Sequence, residues 1–209
     1  MIKDTKTNIK INYDKKMLES IKKLDGKKER LLLHVCCAPC SSAVLERLAP
    51  YFLTSVYFYN PNMDNIEEFT HRALEEQRFI KQSGLAEETI IVPYRHEEYI
   101  EKISGLENEL EGGKRCERCF RLRLENTAKY AREHNFSWFT TTLTISPYKN
   151  APLLNKIGVE IAEKYGINYL ESDFKKRSGY LRSIELSKQY GLYRQNYCGC
   201  EFSLRDGET

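Results

Sequence analysis

Seven cysteines fall in three groups, and their spacing is the strongest chemical signal in the chain. The first group is Cys36-Cys37-Ala38-Pro39-Cys40. Adjacent cysteines would close a badly strained ring if they paired with each other. Cys36 and Cys37 are better suited to ligate one metal centre where the backbone turns. The second group, Cys116-Glu117-Arg118-Cys119, is a CxxC at an expected helix start, which points two sulfurs to one side. The helix N-terminus and Lys114, Arg115, Arg118 and Arg121 favour thiolates there. Two distant pairs suit a four-thiolate site, which iron–sulfur clusters and zinc both use. The third group, Cys198-Gly199-Cys200, can close only a small ring that is readily reduced, so it fits an electron relay better than a structural bridge. Cys40 stands between three roles: a fifth ligand, a ligand of a second metal ion, or a packing thiol, with packing or support of the ligands preferred. Each group also has a plainer reading. Structural zinc would explain Cys116 and Cys119, core burial would explain Cys36 and Cys37, and a reduced pair on a tail would explain Cys198 and Cys200.

Charge gathers beside these cysteines. Residues 175–200 hold Lys175, Lys176, Arg177, Arg182, Lys188 and Arg194 against one acid, Glu185, in a chain whose net charge is only +3. Tyr180, Tyr190, Tyr193 and Tyr197 are interleaved. Basic groups bind phosphates and aromatic rings stack on unpaired bases, so the pattern fits a single-stranded RNA loop. Residues 114–123 add Lys114, Arg115, Arg118, Arg121 and Arg123 against Glu117. A solvated helix face is the ordinary explanation of either run alone. The acidic stretches Glu67–Glu76 and Glu107–Glu111 read as solvated surface. His34, beside the cysteines, could tune a metal centre or carry a proton, or be a satisfied core histidine. There is no HExxH, no Walker lysine loop and no Ser-His-Asp pattern.

Five apolar runs must position these groups as strands: Arg30–Val35, Thr54–Tyr59, Thr89–Pro93, Trp138–Leu143 and Asn168–Glu171. Helical periodicity covers Lys15–Leu24, Ser41–Tyr51, Ile66–Gln82, Glu117–His134, Leu153–Tyr165 and Gly179–Tyr190. Such alternation predicts an α/β fold with a parallel sheet, in three layers. The length of 209 residues suits one domain. Residues 1–29 read as a helical extension, 30–191 as sheet and helices, and 192–209 as a C-terminal tail carrying the CxC pair. That tail lacks periodicity, so something other than helix packing must tie it down. Ligands of open α/β sheets bind at the carboxyl ends of the strands, where the first cysteine group, Thr140–Thr142, Ile145–Lys149 and Asp173 fall, and Cys116 and Cys119 open a helix. No run is long and apolar enough for a membrane helix, and the polar N-terminus lacks a secretory pattern. Clustered cysteines without an export signal fit a reducing cytoplasm.

These residues together resemble the epoxyqueuosine reductase QueH family. The resemblance is carried by Leu31–Cys40, the Tyr59-Asn60-Pro61-Asn62 turn, Cys116-x-x-Cys119 with its helix, Thr141–Lys149 and Ser178–Cys200. It implies a Rossmann-like fold similar to the PP-loop and nucleotide-hydrolase superfamily, with the CCAPCSS turn in place of the SGGxDS loop that binds ATP. It implies reduction of epoxyqueuosine to queuosine at the wobble position of tRNA, the last step of queuosine synthesis. It further implies a [4Fe-4S] cluster on Cys36, Cys37, Cys116 and Cys119, and a redox-active disulfide of Cys198 with Cys200. Cys40 is a candidate ligand of a second metal, an iron. Tyr148, Asp173 and Tyr59 are candidate proton donors because they sit on strand-end loops. Lys175, Lys176, Arg177, Arg182 and Arg194 are candidate contacts to the anticodon loop, and an external electron donor is required. The competing readings are a zinc or iron–sulfur RNA-binding protein, an ATP-using tRNA thiolation enzyme, and a thiol–disulfide reductase.

Overall fold

The computed structural model describes residues 11–203. The chain alternates helices and strands: α1 Tyr13–Lys22, β1 Glu29–His34, α2 Ala38–Leu48, β2 Phe52–Phe58, α3 Ile66–Ser83 and β3 Thr89–Ile91. It continues with α4 His96–Ile103, α5 Lys114–Glu133, β4 Trp138–Thr141, α6 Ala151–Tyr165, β5 Asn168–Tyr169 and α7 Gly179–Tyr190. The strands form one parallel sheet in the order β3-β2-β1-β4-β5.

Pattern explains the layering. Along β1, Leu31 and Leu33 enter one core with α2 and α7, while Leu32 enters another with α5 and α6. Alternate side chains of a strand face opposite sides, so one apolar run feeds two cores and the sheet is covered on both faces. Helix ends follow their side chains: Asn12, Asn65 and Asn150 cap α1, α3 and α6, and Gly84 and Gly166 close α3 and α6 in the left-handed region.

The expected elements are present, with shifted ends. β4 stops at Thr141 because the chain tightens into a 3-10 turn, Thr142–Ile145, pinned by Thr141 Oγ1 accepting from the Leu143 amide at 3.1 Å. α5 begins at Lys114, so Cys116 and Cys119 lie in its first two turns. Helix α4 has no counterpart among the expected elements. Among the described residues, no helix is long and apolar enough to cross a membrane. Strand order reverses between β1 and β4, and the loops leaving those two strands carry the first cysteine group and the Thr142–Lys149 segment. A crevice opens at such a reversal.

Candidate metal and redox centre

The first group forms where β1 ends and α2 begins. Asn60 Nδ2 donates to the Val35 carbonyl at 2.9 Å, turning the chain into the cysteines. Cys37 is the extended residue before α2, and its carbonyl accepts from the Cys40 and Ser41 amides at 3.1 Å. The Cys36, Cys37 and Cys40 sulfurs lie within 4.8 Å of one another. Cys36 and Cys37 Sγ are 3.8 Å apart. Hydrogen bonds from Cys37 and Cys40 hold the Cys36 thiol well below the usual range against the effect of burial, helped by the charges of Lys149 and Arg123. The bond to Cys36 pushes Cys37 up to about 12, and Cys40 rises for the same reason. Within the trio, Cys36 is therefore the sulfur whose ionisation its neighbours favour most.

The second and third groups meet across α5. Cys116 Sγ accepts from the Gly112 amide at 3.2 Å. Cys119 is buried, which pushes its thiol up to about 12. Cys200 packs with Cys119, Tyr99 and Ile103, and its sulfur is 2.9 Å from the Tyr99 hydroxyl. The unforeseen helix α4 thus builds the seat of the CxC pair. The tail is tied by long-range bonds: the Asp64 amide donates to Gly199 O at 2.8 Å, Arg72 to Cys198 O at 3.4 Å and the Tyr193 amide to Glu75 at 2.8 Å. Gly199 sits at φ +95, and a Cβ there would meet Arg72 at 3.1 Å, so glycine suits both the turn and the contact. Cys198 and Cys200 are both free thiols.

Two adjoining cavities result. One of about 110 Å³ is lined by Cys36, Cys37, Cys40 and Cys198. The other, of about 70 Å³, is lined by Cys116, Cys119, Cys198 and Cys200. Cys198, Glu111, Tyr148 and Lys149 line both. All seven cysteines therefore converge on one crevice. Soft sulfur donors, a helix N-terminus and nearby cations are what a thiolate metal site requires, and the residues present fit one.

The other expected site residues are spread more widely. Tyr148 is 68% exposed at the rim. Asp173 is paired with Lys175 at 2.9 Å and lies outside the lining of both cavities. The Tyr59 hydroxyl donates a hydrogen bond to Glu98 Oε2 at 2.6 Å. Of the basic set, Arg177 pairs with Asp14 at 2.9 Å, and Arg182 with Glu46 and Glu185 at 2.8 Å. Lys176 is exposed. Arg194 lines the larger cavity over the Tyr180 ring. Two surface readings are corrected. Arg115 and Arg123 are 2% and 1% exposed, so these two members of the basic run on α5 leave its solvated face, while Lys114 and Arg118 are exposed. Glu76 is fully buried on α3, where Ser41 Oγ donates to its Oε2 at 2.9 Å, so it is not solvated surface either. Sequence reasoning also missed Lys149. Burial opposes its charge, yet Cys198, Cys36 and Cys40 outweigh that and hold its pKa above the ordinary range. Its place two residues beyond Pro147 on a strand-end loop was the available signal.

Comparison with known proteins agrees with this geometry. A family model described as "Epoxyqueuosine reductase QueH" matches residues 31–206. An epoxyqueuosine reductase QueH of Staphylococcus epidermidis is 42% identical, covering 94% of this chain and 86% of the relative. One of Streptococcus pyogenes serotype M1 is 41% identical, covering 95% and 80%. One of Thermotoga maritima is 37% identical, covering 83% and 90%. With the thiol-lined crevice at the strand ends and a match over most of its length, the chain belongs to the epoxyqueuosine reductase QueH family.

Proposed function

We propose that this protein is an oxidoreductase that reduces epoxyqueuosine in tRNA to queuosine, acting in the cytoplasm. The observation that carries the reading is the convergence of all seven cysteines on two adjoining cavities, in a chain of this family.

Cys36, Cys37, Cys116 and Cys119 would hold a [4Fe-4S] cluster, and the proximity of Cys40 to Cys36 and Cys37 supports it as a ligand of a second iron. A bound centre of this kind supplies single electrons and a Lewis-acidic iron. Removing an epoxide oxygen to leave an alkene takes up two electrons and two protons and releases water. Oxidation of the Cys198 and Cys200 dithiol to a disulfide yields two electrons and two protons, so the balance closes. An external donor then returns the pair to thiols. Lys149 holds a proton at Nζ beside both cavities, and Tyr148 holds one at its hydroxyl on the rim, so either can serve the oxygen as it leaves. Arg194, with Tyr180 and Tyr197 in the same wall, offers a cation and two rings to a nucleotide entering the larger cavity. Arg182 and Arg177, already paired with acids, would meet the tRNA backbone by exchanging partners.

The test is anaerobic purification with iron, sulfide and zinc analysis, followed by turnover of an anticodon stem-loop carrying epoxyqueuosine. Bound iron and sulfide with loss of one oxygen from the RNA are expected. Cys198→Ala or Cys200→Ala should stop multiple turnover while sparing a single prereduced turnover. Stoichiometric zinc with no change in the RNA would overturn the reading.

A further inference from the structure

Arg123 lies on α5 one turn beyond Cys119 and is 1% exposed. A guanidinium never gives up its charge in a protein, and burying it without an anion is costly. Arg72, equally buried, solves this with Glu68 at 2.5 Å. Among the described residues, no carboxylate pairs with Arg123. Its partners are uncharged groups and sulfur. Nη2 donates to Asn60 Oδ1 at 2.6 Å, Nε to His34 Nε2 at 3.2 Å and Nη1 to Cys119 Sγ at 4.0 Å.

The histidine cannot supply the missing negative charge. An arginine Nε only donates, so His34 Nε2 must accept, which places the proton on Nδ1 and directs it to Thr141 Oγ1 at 2.9 Å. The Tyr59 carbonyl, 3.2 Å from the same Nε2, receives no proton from it. The remaining group beside the guanidinium is sulfur, Cys119 Sγ at 4.0 Å, which gains a full negative charge when it ligates a metal. Its clamp is also continuous with the first cysteine group, because the Asn60 side chain that accepts from Arg123 donates to Val35, the residue before Cys36.

We infer that Arg123 is the built-in counter-cation of the thiol centre: a positioning residue that joins the α5 cysteines to the β1 turn and makes the assembled thiolates affordable in a buried site. This rests on the reading that the cysteines hold a metal centre. Four thiolates around a divalent ion, or around a cluster, leave a net negative site, and one fixed buried cation stabilises that charge.

Three proteins decide the matter: wild type, Arg123→Gln and Arg123→Lys, each first checked for a cooperative thermal transition. The first readout is cobalt(II) affinity at pH 7, followed by the sulfur-to-metal charge-transfer band. The second is the rate of iodoacetamide reaction at Cys119 and Cys36 in metal-free protein, followed by peptide mass. Arg123→Gln should weaken cobalt binding by roughly tenfold or more and slow alkylation several-fold, whereas Arg123→Lys should stay within about threefold of wild type. Equal losses in both variants, tracking a common loss of thermal stability, would make Arg123 a packing strut and overturn the inference. Wild-type behaviour of Arg123→Gln would overturn it as well. Should wild type form no cobalt–thiolate band, the metal reading fails, and the alkylation rates still decide whether Arg123 governs the thiolates.

Discussion

Glu76 offers a test of the buried chemistry beneath the cysteines. Its side chain is 0% exposed, Ser41 Oγ donates to Oε2 at 2.9 Å, and Oε1 has no partner. Burial pushes its pKa from 4.5 up to about 8, with the Ser41 hydrogen bond pulling the other way. The unfolded chain releases this proton near pH 4.5, while the folded protein retains it until about pH 8. Between those values the native state binds the extra proton, so stability falls as pH rises. The contribution is fully present below the unfolded pKa and is gone once pH passes the folded one. At about 1.4 kcal/mol per pH unit, the loss between pH 5 and pH 8 is of order 3 kcal/mol. Glu76→Gln keeps the shape and cannot ionise. Urea unfolding of metal-free, reduced protein at several pH values should show wild type and variant close together at pH 5. The variant should then become the more stable by about 3 kcal/mol toward pH 8. The difference between the two proteins removes the titrations they share that do not couple to Glu76. A difference that stays flat across this range would refute the assignment of a protonated carboxyl under α2.

Three further outcomes are expected. Tyr99→Phe removes the hydroxyl 2.9 Å from Cys200 Sγ and should cost about 1 kcal/mol. Burial raises the Cys200 thiol and the Tyr99 bond restrains that rise, so alkylation of Cys200 at fixed pH should slow in the variant, and an unchanged rate would deny the bond. Gly158→Ala would put a Cβ 2.3 Å from the Tyr169 ring, wedging α6 off the sheet at a cost of about 1–3 kcal/mol in thermal or urea unfolding. Adding Tyr169→Leu should recover most of that loss. Arg194→Ala should weaken binding of an anticodon stem-loop more than Arg182→Ala does, because Arg182 is engaged with Glu46 and Glu185. The salt dependence of binding would decide whether either arginine meets phosphate, since each lost phosphate contact lowers the slope of log K against log salt by about one.

The sheet was readable because each strand carries its own signal. The Leu31–Leu33 run is apolar on both faces, as a covered parallel strand must be, and the asparagines and glycines at helix ends mark where helices start and stop. Helix α4 was not readable: His96–Ile103 is short, and only Tyr99 and Ile103 are buried. The cysteine pairs could be grouped by spacing. Their convergence could not, because it depends on contacts such as Tyr99 with Cys200 and Arg72 with the Cys198 carbonyl, which join distant parts of the chain. Counting charges placed Arg123 with the surface cations beside it. Its burial follows from its place on the α5 face that meets β1, one turn on from Cys119. Glu76 was misread for the same reason, since a local acidic pattern does not reveal which member turns inward.

The tail that carries Cys198 has a kinetic consequence. It forms part of the wall of the larger cavity, and it is held by a few hydrogen bonds and by the packing of Leu192 and Cys200 rather than by strand pairing. Segments secured this way open by themselves, well below the free energy that separates the strands. In a growing chain the β1 and α5 cysteines emerge first, while Cys198 and Cys200 emerge later and seal the crevice afterwards. Opening of this wall, rather than of the sheet, is therefore the event that would expose the inner sulfurs to solvent and to an oxidant.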